Sequence, residues 1–99
     1  MKLLSITPAT NGRSKYTAIF DVDGRKRTTH FGAKGMNDFI IYSKQGKDIA
    51  DERRRLYLER HRKEGWTDPL KSGTLSRYIL WEYPSLTKAI SAYKKRFNL

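Results

Sequence analysis

The chain has 99 residues, which is room for one domain with a single core and little surplus. Lysine and arginine number 21 against 10 aspartates and glutamates, and the resulting net charge of +11 predicts attraction to a polyanion: nucleic acid, an anionic membrane surface or acidic protein. The absence of cysteine excludes disulfides and thiolate metal sites, and no apolar run approaches the roughly 18 residues that span a bilayer.

Leu3 to Thr7 alternates weakly, is bounded by Pro8, and reads as a first strand. With one charge, a short apolar run and an early Pro8 and Asn11-Gly12, the start does not fit a signal peptide. Asn11-Gly12 tolerates the positive φ angles of a tight turn. Lys15 to Val22 is rich in β-branched and aromatic residues, with Tyr16, Ala18, Phe20 and Val22 on one face. Asp23-Gly24 predicts a type I′ hairpin turn. That turn sets Val22 opposite Arg25, Phe20 opposite Arg27, Ala18 opposite Thr29 and Tyr16 opposite Phe31, with Asp21–Lys26, Ile19–Thr28 and Thr17–His30 on the solvent face. Arg25 and Arg27 then fall on the core face and must reach its edge or find partners, because a bare buried charge is too costly.

Gly32-Ala33-Lys34-Gly35 fits a G-x-x-G pattern, which can bring backbone N–H groups and the charge of Lys34 to a phosphate. In the KH module that loop joins two helices, whereas here it follows a strand. A Walker loop needs Gly-Lys-Ser/Thr, which is absent, so the plain reading is a hinge between strands. Asp38 to Tyr42 is short and apolar and is expected to be another strand, making residues 1–44 an antiparallel meander of three or four strands.

Ser43 to Gly46 is a linker. Lys47 to Lys63, free of Gly and Pro, predicts a helix with Ile49, Ala50, Leu56, Tyr57 and His61 on one side, a Glu59–Lys63 pair, and Gly65 as its stop. Trp66 to Phe97 predicts two more helices around a tight corner. Thr74 to Trp81 is apolar on most sides, with Ser72 as N-cap. Pro84 is expected in the first turn of the last helix, which places Leu86, Ala89, Ile90, Tyr93 and Phe97 on one face. The expected fold is α+β in one domain, the meander packed against about three helices in residues 45–99.

Arg53-Arg54-Arg55 and Arg60-His61-Arg62-Lys63 are candidates to grip phosphates or an acidic protein groove, against the plainer reading of a solvated, internally paired helix face. Three consecutive arginines project about 100° apart and cannot all face one ligand. Lys88, Lys94, Lys95 and Arg96 follow Glu82 with no acid among them, so nothing local neutralises them. A helix-turn-helix would turn Thr87, Lys88, Ser91 and Lys95 outward, without the Arg, Asn or Gln that usually read bases. Of the twelve aromatic residues most sit at core spacing; Trp66 and Tyr83, at element ends, are the aromatic anchors expected at the surface. His30 lies in a strand and His61 is flanked by arginines, and no Asp/Glu/His cluster has metal-ligand spacing, so neither enzyme activity nor a metal or cofactor is expected.

Lys15 to Phe20, His30 to Gly35, Tyr57 to His61, Trp66 to Pro69, Gly73 to Trp81 and Tyr93 to Phe97 together resemble a family of short basic proteins encoded by large nucleocytoplasmic DNA viruses. The resemblance covers most of residues 15–97 and supplies no catalytic motif. It implies a virion setting, or the cytoplasm or nucleus of an infected cell. The function expected on that basis is a non-enzymatic virion structural protein, a minor capsid or cement component. Its basic residues would dock on acidic faces of other capsid proteins or on an inner membrane surface, with no small-molecule substrate. The alternative is a protein that binds the nucleic-acid phosphate backbone without sequence preference.

Overall fold

Hairpin chemistry at Asp23-Gly24 sets the register of the sheet. In the computed structural model, which describes residues 1–99, β1 (Lys2–Pro8), β2 (Ser14–Val22) and β3 (Arg25–Ala33) form an antiparallel sheet in that order. Asp23 and Gly24 both have positive φ, 54° and 82°, as a type I′ turn requires, and the Gly24 N–H donates to Asp21 Oδ1. Every pair expected from that turn is found, from Val22–Arg25 to Tyr16–Phe31. Ala18, Phe20 and Phe31 are buried on the inner face, and the Tyr16 and Phe31 rings lie 5.8 Å apart across the strands. A register shift between Leu3 and Ser5 lets Leu3 pair with Phe20 and Ile6 with Ala18, while Leu4 points into solvent. That bulge is why the alternation of β1 looks weak in sequence.

Arg25 and Arg27 stay exposed on the inner face. The covering segment meets β3 at Thr29, whose hydroxyl donates to the Leu70 carbonyl at 2.7 Å. Arg27 and Arg25 lie beyond that point, towards the turn.

The meander ends at Ala33 rather than at residue 44. Asp38 to Tyr42, expected as a strand, belongs instead to a short helix α1 (Phe39–Ser43). A five-residue apolar run has no period that separates strand from helix. Asp38 decides it by capping, its Oδ1 accepting the Ile41 N–H at 3.0 Å. Helix α2 (Lys47–His61) follows and tightens into a 3₁₀ turn over Arg62–Glu64, which Gly65 closes at φ 76°. On α2, Ala50 and Tyr57 are buried, but Ile49 and Leu56 are exposed, and Glu59 meets Arg55 rather than Lys63.

Helix α3 (Ser72–Leu75) runs directly into a π-helical turn over Ser76–Leu80. Its N-cap is Lys71, not Ser72, and no side chain caps it. Helix α4 (Leu86–Phe97) is capped by Ser85, so Pro84 lies just outside the helix instead of in its first turn. Ala89 and Tyr93 are its buried residues, on the expected face. The Tyr93 hydroxyl donates to the Pro69 carbonyl at 2.7 Å, so the 66–71 segment is pinned between α4 and β3.

Thirteen buried apolar residues form one core, drawn from the sheet (Leu3, Ala18, Phe20, Phe31), from α1 and α2 (Phe39, Ala50, Tyr57), from the α3 segment (Leu75, Ile79, Leu80, Trp81) and from α4 (Ala89, Tyr93). A core this thin makes single contacts matter. Gly32, at φ 79°, sits where a Cβ would lie 2.8 Å from Leu80 Cδ1 and 3.1 Å from Lys15 Cβ.

Gly32→Ala is therefore expected to lower stability by about 1–3 kcal/mol, from strain and overpacking together, as read by urea denaturation. Burial pushes the Tyr57 phenol up to about 12 and raises that of Tyr93 as well. Both folded-state values exceed the unfolded one. The contribution of these two tyrosines to stability should thus be level below the unfolded tyrosine pKa of about 10 and fall as the pH rises above it. Tyr93→Phe should cost about 1 kcal/mol at neutral pH and make the alkaline fall shallower, checked by thermal melts at increasing pH.

Candidate functional site

The end of the β2–β3 ladder, the N-terminus of α1, one face of α2 and the α3 segment surround an open cleft of about 820 Å³. One wall is an ion pair. Lys15, near the start of β2, reaches Asp38 at 2.6 Å, and the two side chains are only 14% and 7% exposed. Asp38 thus caps α1 with one oxygen and holds a lysine with the other. Both charges are paired, as burial requires.

The floor is aromatic. Tyr57 of α2 and Trp81 stack with ring centroids 4.4 Å apart and planes 8° apart, and Tyr42 leans on Trp81 at 6.2 Å. His61 stacks on Tyr57 from the other side, at 4.5 Å, and its Nδ1 engages Glu64 across one helical turn. Ser76 and Leu80, the ends of the π-helical turn, also face the cleft. Such turns are rare and concentrate at functional sites.

The rim is cationic. Arg53 and Arg60 are seven residues apart on α2, two turns along one face, and both line the cleft. Neither has a carboxylate partner; Arg53 lies over the Tyr42 ring at 5.3 Å. Met36 and Leu56, two of the large apolar side chains left exposed, line the same opening at 64% and 38% exposure.

The other basic residues singled out in the sequence go elsewhere. Arg53, Arg54 and Arg55 point three ways. Arg54 donates to the Glu82 carbonyl at 2.9 Å and covers the Phe39 ring at 4.3 Å, while Arg55 pairs with Glu52 and Glu59 in solvent. Arg62 and Lys63 are exposed in the 3₁₀ turn. Lys34 is exposed in the turn between the cleft residues Ala33 and Met36. Lys88, Lys94 and Lys95 are exposed on α4, and Arg96 lies over the Tyr78 ring at 4.0 Å. Tyr83 is 37% exposed at the helical corner. Trp66 is half-buried beside Arg77, with its indole Nε1 buried and unpartnered.

Of 21 lysines and arginines, only Lys15, Lys47, Arg54, Arg55 and Arg77 have a carboxylate within 4.0 Å, which leaves sixteen without one. The cleft residues that sequence reasoning missed are Lys15, Asp38, Met36 and Leu56, together with the Tyr57–Trp81 floor. They come from four separate segments, and only the Asp38 cap left a local signal. No group of three or more His, Cys, Asp or Glu is arranged to hold a metal ion, and no helix is long and apolar enough to cross a membrane. Comparison with protein-family models, curated proteins and solved structures finds no match to this chain.

Asp38→Asn keeps a capping side chain but leaves the Lys15 ammonium buried and unpaired, and should cost about 3 kcal/mol. Adding Lys15→Met should recover most of that loss. Urea unfolding of the wild type, the two single variants and the double variant closes the cycle.

Proposed function

We propose that this chain is a non-enzymatic structural protein of a virion, a minor capsid or cement component, which docks through its basic surface on acidic faces of neighbouring proteins. The observation that carries the reading is the cleft: an apolar, aromatic floor under an arginine rim that no internal carboxylate neutralises. Apolar area inside a charged border is the anatomy of a protein interface. The viral setting rests on the resemblance of the sequence segments.

The distribution of charge supports the same reading. Arg25, Lys26 and Arg27 cluster at the β2–β3 turn, about 27 Å of strand away from the Lys34 end of β3. Lys88 and Lys94 to Arg96 lie on α4. Separate patches suit several contacts in an assembly better than one groove that tracks a phosphate backbone. Trp81 is only 8% exposed and Tyr57 likewise, so neither offers an open ring to a base.

The test is fluorescence anisotropy at about 150 mM salt with two probes, poly-L-glutamate and a random-sequence DNA duplex. Salt-dependent binding of polyglutamate is expected, and Lys94→Glu/Lys95→Glu should weaken it severalfold. Duplex binding at micromolar affinity or tighter, with a log–log salt slope of several units, overturns this reading in favour of a genome-bound protein.

A further inference from the structure

Two acidic side chains line the cleft, and both are engaged. Asp38 is held by Lys15 and the Ile41 N–H, and Glu64 by His61. The charge left free to meet a ligand there is that of Arg53 and Arg60. Two turns of α2 set their backbones about 10.5 Å apart along the helix axis. An extended segment rises about 3.3 Å per residue, so carboxylates three or four residues apart span the same distance. The residue between them then lies over the floor, where Met36 and Leu56 flank the Tyr57–Trp81 stack. Exposed apolar side chains beside a concave aromatic floor gain burial only when something apolar fills the space. The opening, about 820 Å³, accommodates a large side chain together with its neighbours.

We infer that the cleft is a receptor for a short acidic segment of a partner protein, one that places an aromatic or aliphatic side chain against Met36 and Leu56, above the Tyr57–Trp81 stack, between carboxylates held by Arg53 and Arg60. This rests on the docking reading above and adds the chemistry of the partner. The π-helical turn at Ser76–Leu80 forms part of the cleft surface, and cation recognition is disfavoured because no unengaged carboxylate lines it. Nucleic acid fits less well, since Tyr57 and Trp81 are each only 8% exposed and offer little ring face on which a base could stack.

The experiment compares two fluorescein-labelled twelve-residue peptides of equal negative charge, one with Glu-Glu-Phe-Glu-Glu at its centre and one with Ser in place of Phe. At about 150 mM salt the Phe peptide should bind the full chain at least tenfold more tightly, as expected for burying one aromatic side chain. Arg53→Gln/Arg60→Gln should weaken the Phe peptide about tenfold or more, whereas Lys2→Gln/Lys44→Gln, the same change of charge at exposed positions outside the cleft, should leave it within about twofold. Leu56→Ser, at an exposed position, should weaken the Phe peptide and leave the Ser peptide unchanged, while circular dichroism reports that each variant is folded. Equal affinity for the two peptides overturns the inference, as does an equal loss from the cleft variant and the Lys2→Gln/Lys44→Gln control, or full displacement of the Phe peptide by a DNA duplex of matched charge. If polyglutamate still binds while Phe adds nothing, the cleft inference fails and the docking reading stands. If polyglutamate does not bind either, both fail.

Discussion

Lys15, near the start of β2, meets Asp38 at the start of the first helix, at 2.6 Å and almost out of water. Two charges in that position are costly alone, and each makes the other tolerable. Asp38 also caps α1, so the pair orients the helix as well as tethering it. From α1 the chain reverses at Lys44 to Gly46 and enters α2. Once α1 is held, α2 lies with Tyr57 in the core and Arg53 and Arg60 over the opening. The cleft thus depends on an ion pair that sequence inspection does not single out, between residues 23 positions apart.

A chain with this excess of positive charge has to use some of its arginines inside. Arg54 lies on Phe39 and bonds the Glu82 carbonyl. Arg77 pairs with Glu82 and sits against both Trp66 and Tyr78, and Arg96 also lies over the Tyr78 ring. Planar guanidinium groups are suited to such roles because they are weakly hydrated and stack on rings. The lysines have no such use in this fold and remain almost entirely at the surface. Basic residues therefore divide by chemistry into arginines that help hold the helical corner together and a mixed remainder that is free to meet a partner.

Much of the sheet was legible in the sequence because its signals are local. Asp23-Gly24 determines a turn, a turn determines a register, and the register assigns every side chain of β2 and β3 to a face. The apolar stripe of α4 and the glycine stop after α2 are equally local. Asp38 to Tyr42 was misassigned because five apolar residues lack a period, and the deciding cap is one carboxylate hydrogen bond. The sequence puts Pro84 inside α4 and Ser72 at the cap of α3, whereas Pro84 lies just before the Ser85 cap and Ser72 is the first residue of its helix, since caps depend on backbone angles that composition does not reveal.

The sequence by itself determined the hairpin register, the α+β order of elements, the apolar faces and the size of the charge excess, all of which depend on neighbours within a few residues along the chain. Tertiary structure decided which charges are free. Arg53, Arg54 and Arg55 are chemically identical and adjacent, yet one faces the cleft, one braces the helical corner and one pairs in solvent. The helix alone sends them in different directions, but what each meets is set by segments up to 28 residues away. The same holds for the cleft, whose walls, floor and rim exist only after four separate segments have packed, because a concavity is a property of packed surfaces and has no period or motif in the chain.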